Sequence, residues 1–127
     1  MRRAILLSLA LLAAVVGASQ SYWLNGPTWP SGTVPMHIEL GAAPALTDGC
    51  PDWSCAASGA IDRWNLFMGR IQLQAVGNSA ASKGELNGRN DMFFAADMYG
   101  RAFGQDTLAL TTWWFRNDRL IEADIGF

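Results

Sequence analysis

Two pairs of residues in this 127-residue chain have the chemistry and spacing to form a site. Cys50 and Cys55, in CPDWSC, are near enough in sequence to bridge locally. Two thiolates with no neighbouring His or Cys cannot complete a tetrahedral zinc shell, so a disulfide is expected rather than a metal site. Glu122 and Asp124, in LIEADIGF, stand two residues apart in an alternating run. On a strand they share one face, about 7 Å apart by strand rise. Such a pair could serve as acid and base in glycoside hydrolysis. No aromatic sugar platform can be assigned, however, and a solvated or calcium-binding face is the plainer expectation. His37, the only histidine, falls beside Glu39 on the outward side of another alternating run and is expected to be solvated. One histidine cannot provide a three-ligand catalytic metal site, and a Ser/His/Asp triad would need His37 and an unmarked serine. Asp91, Asp97 and Asp106 lie in or beside Gly-bearing loops but lack the spacing of a calcium loop. The chain has no HExxH, no Gly-x-Ser-x-Gly and no phosphate loop.

Composition narrows the class. Met1-Arg2-Arg3, the apolar run Ala4–Val16 and the small residues Val16-Gly17-Ala18 read as a secretory signal peptide over residues 1–18. The apolar run is too short to span a bilayer comfortably, so no membrane contact is expected after cleavage, and the protein is expected to be secreted, extracellular or periplasmic. Without Arg2 and Arg3, seven basic side chains face eleven acidic ones, which argues against nucleic acid as a partner. Six Trp and six Phe demand a large apolar area to bury. An exported chain is also where the two thiols would oxidise.

The elements that must position these residues follow from periodicity. Residues 19–33 contain YWLNGPTWPSG and read as an extended lead-in; residues 34–127 form one domain. Val34, Met36, Ile38 and Leu40 alternate as a first strand, with Pro35 disfavouring a central place unless it lies at the strand's start. Ala57, Ala60, Ile61, Trp64, Phe67 and Met68 recur at helical spacing, with Asp52 or Ser54 as cap and Gly69 as stop. Ile71, Leu73 and Ala75 predict a second strand, Met92–Ala96 a central third, and Asp97–Asp106 a loop. Thr107–Phe115 and Leu120–Phe127 form a hairpin about Asn117-Asp118, pairing Arg116 with Arg119 and setting Thr111 opposite Asp124. The class is α+β, a five-stranded sheet with one helix. One helix can cover one face of such a sheet, so the remaining apolar face is left bare and the chain is expected to be incomplete.

Three segments in order, AASGAIDRWN (Ala56–Asn65), DTLALT (Asp106–Thr111) and the closing IEADIGF, resemble the amino-terminal subdomain of matrixin-like zinc metallopeptidases of the metzincin group, the bacterial secreted branch in particular. The resemblance covers Val34 to Phe127. It implies a twisted mixed sheet with one antiparallel edge strand and a single packed helix, truncated before a helix bearing HExxHxxGxxH. In the family that helix packs on the face left bare here; its three histidines bind zinc and its glutamate is the general base. By this match the backbone of Leu108, Ala109 and Leu110 would hold a peptide or protein substrate along the edge strand. This chain would supply the sheet and the upper rim of the cleft of a secreted zinc endopeptidase, and would be inactive without the missing C-terminal half. Asp124 matches a calcium-ligand aspartate of the animal members, which implies calcium there. Those members carry structural-zinc histidines where Leu110 and Gly126 stand, and no propeptide cysteine switch precedes the domain. The alternative is a non-catalytic secreted module that captures extended peptides by strand addition.

Overall fold

The computed structural model describes residues 26–43, 46–77, 79 and 83–127. The expected signal peptide and the lead-in up to residue 25 lie outside the described residues. Elements follow in the order β1 (Gly32–Glu39), α1 (Trp53–Asn65), β2 (Ile71–Gly77), β3 (Asn90–Phe93), β4 (Asp97–Met98), β5 (Arg101–Ala102), β6 (Leu110–Arg116) and β7 (Arg119–Gly126). Five strands make one mixed sheet in the order β2-β1-β3-β7-β6, parallel throughout except for β6, which runs antiparallel at the edge. The fold is α+β, a five-stranded mixed sheet with one helix.

Alternation in β1 buries Val34, Met36 and Ile38 under α1, where they join Leu40 and Ile61 as the core. Contrary to the sequence expectation, β1 is an interior strand. Pro35 is tolerated because β3 begins to pair with β1 only at Met36. Beside Pro35 the ladder is replaced by a side chain: Asn90 Nδ2 donates to the Pro35 carbonyl at 2.8 Å, and Asn90 Oδ1 accepts from Ala123 N at 2.8 Å. A buried asparagine thus stands in for a missing stretch of strand.

The helix starts where the sequence places it. Asp52 is the N-cap, its Oδ1 accepting from Cys55 N at 2.7 Å, and the Cys50–Cys55 disulfide (Cα–Cα 5.5 Å) closes the turn around it. Asp52→Ala is expected to lower stability by about 1 kcal/mol, read from the urea midpoint. The other end corrects the sequence reading. The helix stops at Asn65, four residues short of Gly69. The side chain of Asn65 leaves the helix to bond both backbone groups of Leu73 on β2, at 2.7 and 2.8 Å, so Phe67 never reaches the core face and is 85% exposed.

Three further boundaries differ from expectation. β3 starts at Asn90 and ends at Phe93, although Phe127 N donates to Phe93 O and Ala95 N to Phe127 O, carrying the ladder two residues on. The stretch Asp97–Ala102, read as loop, is a tight hairpin turning at Tyr99 (φ 54°) and Gly100 (φ 78°). β6 begins at Leu110, not Thr107. The β6–β7 turn itself is as expected: Asn117 (φ 50°) and Asp118 (φ 59°) both take the left-handed conformation, and Arg116 pairs with Arg119. A bulge then leaves Ile121 without a partner, so Asp124 faces Thr112 rather than Thr111.

Candidate functional site

The two faces of the sheet differ in kind. On the face carrying α1, the helix lies over β1 and β2 and leaves β3 and β7 uncovered. Between helix and sheet is an apolar groove of about 570 Å³, with Trp53 and Trp64 on the helix wall and Met36, Met92, Ile125 and Phe127 on the sheet. Phe94 stacks edge-on against both Trp53 and Phe127, at 5.9 Å between ring centroids in each case. Toward the edge, Trp113 and Phe115 lie 5.5 Å apart and remain about half exposed. A groove of this size with almost no polar lining gives water nothing to bond. The sequence expectation puts the bare apolar face opposite the helix; the uncovered apolar surface lies instead on the helix's own side of the sheet.

The opposite face holds the carboxylates, and here the sequence expectation is corrected. Glu122 and Asp124 are not solvated; both are fully buried, together with Asp91. The segments on either side of β3, around residues 87–89 and Tyr99, supply donors to them, and Asp91 N donates from β3 itself. Glu122 accepts from the backbone N–H groups of Asn87 and Gly88. Asp124 accepts from Asp91 N at 2.7 Å and from the Tyr99 hydroxyl at 2.6 Å. Asp91 accepts from Arg89 Nη2 at 2.8 Å and Asn87 Nδ2 at 3.0 Å. The same Arg89 nitrogen reaches Glu39 at 3.1 Å and Ser79 Oγ at 3.0 Å. His37 is also not freely solvated: it is half-buried, with Nδ1 3.1 Å from Ser79 Oγ.

Burial dominates the electrostatics of this layer. It raises the pKa of Asp124, with the nearby Glu122 and Asp91 charges adding to the rise, although the bonds from Tyr99 and Asp91 N pull the other way. The Tyr99 hydroxyl is pushed well above the ordinary phenol range, first by burial, then by its bond to Asp124 and by the surrounding carboxylates. Tyr99 is packed between the rings of Phe93 and Trp114, 6.1 Å from each. Sealed carboxylates with every oxygen bonded cannot reach a sugar, so the glycosidase reading of Glu122 and Asp124 is not carried further.

For a metal, the arrangement offers little. Among the described residues, no three His, Cys, Asp or Glu are grouped to hold an ion. Asp124 turns both oxygens to protein donors, Asp91 N and the Tyr99 hydroxyl. At Gly126 a side chain would meet Met98 Sδ at 2.9 Å and Phe103 Cζ at 3.3 Å, so apolar packing fills that position.

The residues matched to substrate binding lie at the free edge. Leu110 opens β6, opposite Gly126. Ala109 and Leu108 precede the strand and are exposed, Leu108 to 91%. No helix among the described residues is long and apolar enough to cross a membrane. The sequence reading missed Asn90, Arg89 and Tyr99, and weighed Asp91 only as a loop aspartate, whereas it lies buried in β3. The available signal was Asn90-Asp91 abutting an apolar run, preceded by the donor-rich Asn87-Gly88-Arg89. Comparison with protein-family models, with curated proteins and with solved structures finds no match.

Proposed function

We propose that this chain is the sheet-bearing amino-terminal part of a secreted, matrixin-like zinc endopeptidase, forming the upper rim of a cleft for extended peptides. The observation that carries the reading is the apolar groove running from α1 across β3 and β7 toward a free antiparallel edge strand. The groove's apolar lining suits the apolar side of one further helix. The edge strand, ending the sheet, has unpaired backbone groups to which a peptide can add. A metal-bearing helix in that groove would lie beside a peptide on that edge. The disulfide and the signal-like start favour an exported protein.

None of the described side chains is placed to hold zinc, so hydrolysis is not assigned to them. Their part is to bind and orient: the backbone of Leu108, Ala109 and Leu110 holds the substrate chain extended. In a protein that includes the zinc helix, Ala109→Pro removes one N–H donor from that edge without touching the β6–β7 ladder. The expected result is a fall in kcat/KM of about tenfold, with the melting temperature unchanged; an unaltered kcat/KM sinks the assignment. The exposed pair Trp113 and Phe115 on the same edge favours the second reading, a non-catalytic module that captures apolar extended peptides. The two part on one assay: zinc content and peptide hydrolysis of protein expressed from the whole coding frame, positive for the enzyme and negative for the module.

A further inference from the structure

We propose that the turn following α1, with Leu66 and Phe67 at its tip, docks on an anionic lipid surface. The sequence Arg63-Trp-Asn-Leu-Phe-Met-Gly-Arg70 places an arginine at each end of an apolar run and contains no acid, in a chain whose net charge is −2. Asp62 is the nearest acidic side chain in sequence. Leu66 is 78% exposed, and Trp64, Arg63 and Arg70 are exposed around it with Phe67.

This exposure is built in. The Asn65 side chain ties the turn to both backbone groups of Leu73, and Gln72 Nε2 donates to Met68 O at 2.9 Å and to Asn65 O at 3.4 Å. Phe67 N and Met68 N both donate to Trp64 O, at 2.9 and 3.2 Å. The turn is therefore held rigid with these backbone groups satisfied internally, the condition for entering an apolar medium. Moving the backbone of this turn toward the core would break those bonds.

The shape favours a lipid surface over a protein. Two or three side chains on a convex turn offer far less than the roughly 800 Å² per partner of a standard protein interface. Shallow insertion at the headgroup boundary needs only a few apolar side chains. Trp64 suits that depth, and Arg63 and Arg70 can extend to anionic headgroups while their stems lie along the apolar surface. Trp64 also lines the groove, but Arg63, Leu66, Phe67 and Arg70 do not, and the proposal holds whether or not the chain belongs to a peptidase. It revises the expectation of no membrane contact.

The test is flotation of the full chain with phosphatidylcholine vesicles, with and without phosphatidylglycerol, together with NMR line-broadening by a nitroxide-bearing lipid. The expected result is binding that requires phosphatidylglycerol and broadens the Leu66 methyl signals. It should weaken about tenfold or more in L66S/F67S and several-fold in R63Q/R70Q or raised salt. The arginine pair reads the proposal even if the serine pair perturbs folding. No binding overturns it. So does binding that leaves the Leu66 signals sharp, which would place the contact at the groove or the apolar leader, and so does a soluble protein that occupies the tip while vesicles do not.

Discussion

Replacing Asp124 by alanine is expected to lower stability by about 3 kcal/mol, a large share of what a domain of this size possesses. The substitution leaves the Tyr99 hydroxyl and the N–H of Asp91, a buried residue of β3, without an acceptor. Tyr99 holds a left-handed backbone conformation that an aromatic residue adopts only when its surroundings impose it. Losing its hydroxyl bond removes one of those constraints, so the Asp97–Ala102 hairpin should loosen with it. Asp124→Asn keeps an acceptor for Asp91 N and offers an amide to Tyr99, and should cost about 1 kcal/mol or less. Urea denaturation of the three proteins checks the order.

The same pair gives a pH dependence of defined sign. Burial raises the pKa of Asp124 above its unfolded value. The folded protein therefore holds that proton more tightly than the unfolded chain does. Its contribution is fully present below the unfolded pKa and is lost as pH rises through the folded pKa. The urea midpoint should thus climb on acidification from neutral toward the ordinary carboxylate range, and Asp124→Asn should flatten that part of the profile. A wild-type midpoint that falls in that window as steeply as the variant's would contradict the assignment.

The second large effect concerns the groove. Met92, Ile125, Phe94 and Phe127 together with Trp53 and Trp64 present one continuous apolar face. Burying each large side chain contributes about 1.5–3 kcal/mol, so a covering helix would add on the order of 10 kcal/mol as an upper estimate. Without it the 127-residue protein should self-associate and bind an apolar dye, since patches of this extent rarely stay exposed on monomers. Ile125→Thr or Met92→Gln should shift it toward monomer in sedimentation. A wild-type protein that sediments as a monomer and melts in one sharp transition would show that the face needs no cover.

Much of the architecture was legible because it rests on local patterns. Alternation marked β1 and β2, helical spacing with Asp52 marked the start of α1, and Asn117-Asp118 marked a turn that needs two left-handed residues. What stayed hidden depends on contacts distant in sequence. Alternation says that Glu122 and Asp124 share a face, but not that the segments flanking β3 will close over it. A polar face under a donor-rich loop and a polar face under water look alike in one dimension. The bulge at Ile121 has no marker in composition, and a one-residue shift was enough to mispair Asp124. Helical spacing continued through Phe67, while Asn65 left the helix for a bond to Leu73 across the chain. The groove was legible as a surplus of apolar residues. What covers it was not, because a surplus specifies chemistry and not a partner.

The most direct test of the central claim is the coding frame downstream of the Phe127 codon. The account predicts that it continues into a helix bearing HExxHxxGxxH, whose apolar side fits the groove beside β6. A frame that closes without that motif, with the secreted protein's mass agreeing, would contradict the peptidase reading and leave a peptide-binding module.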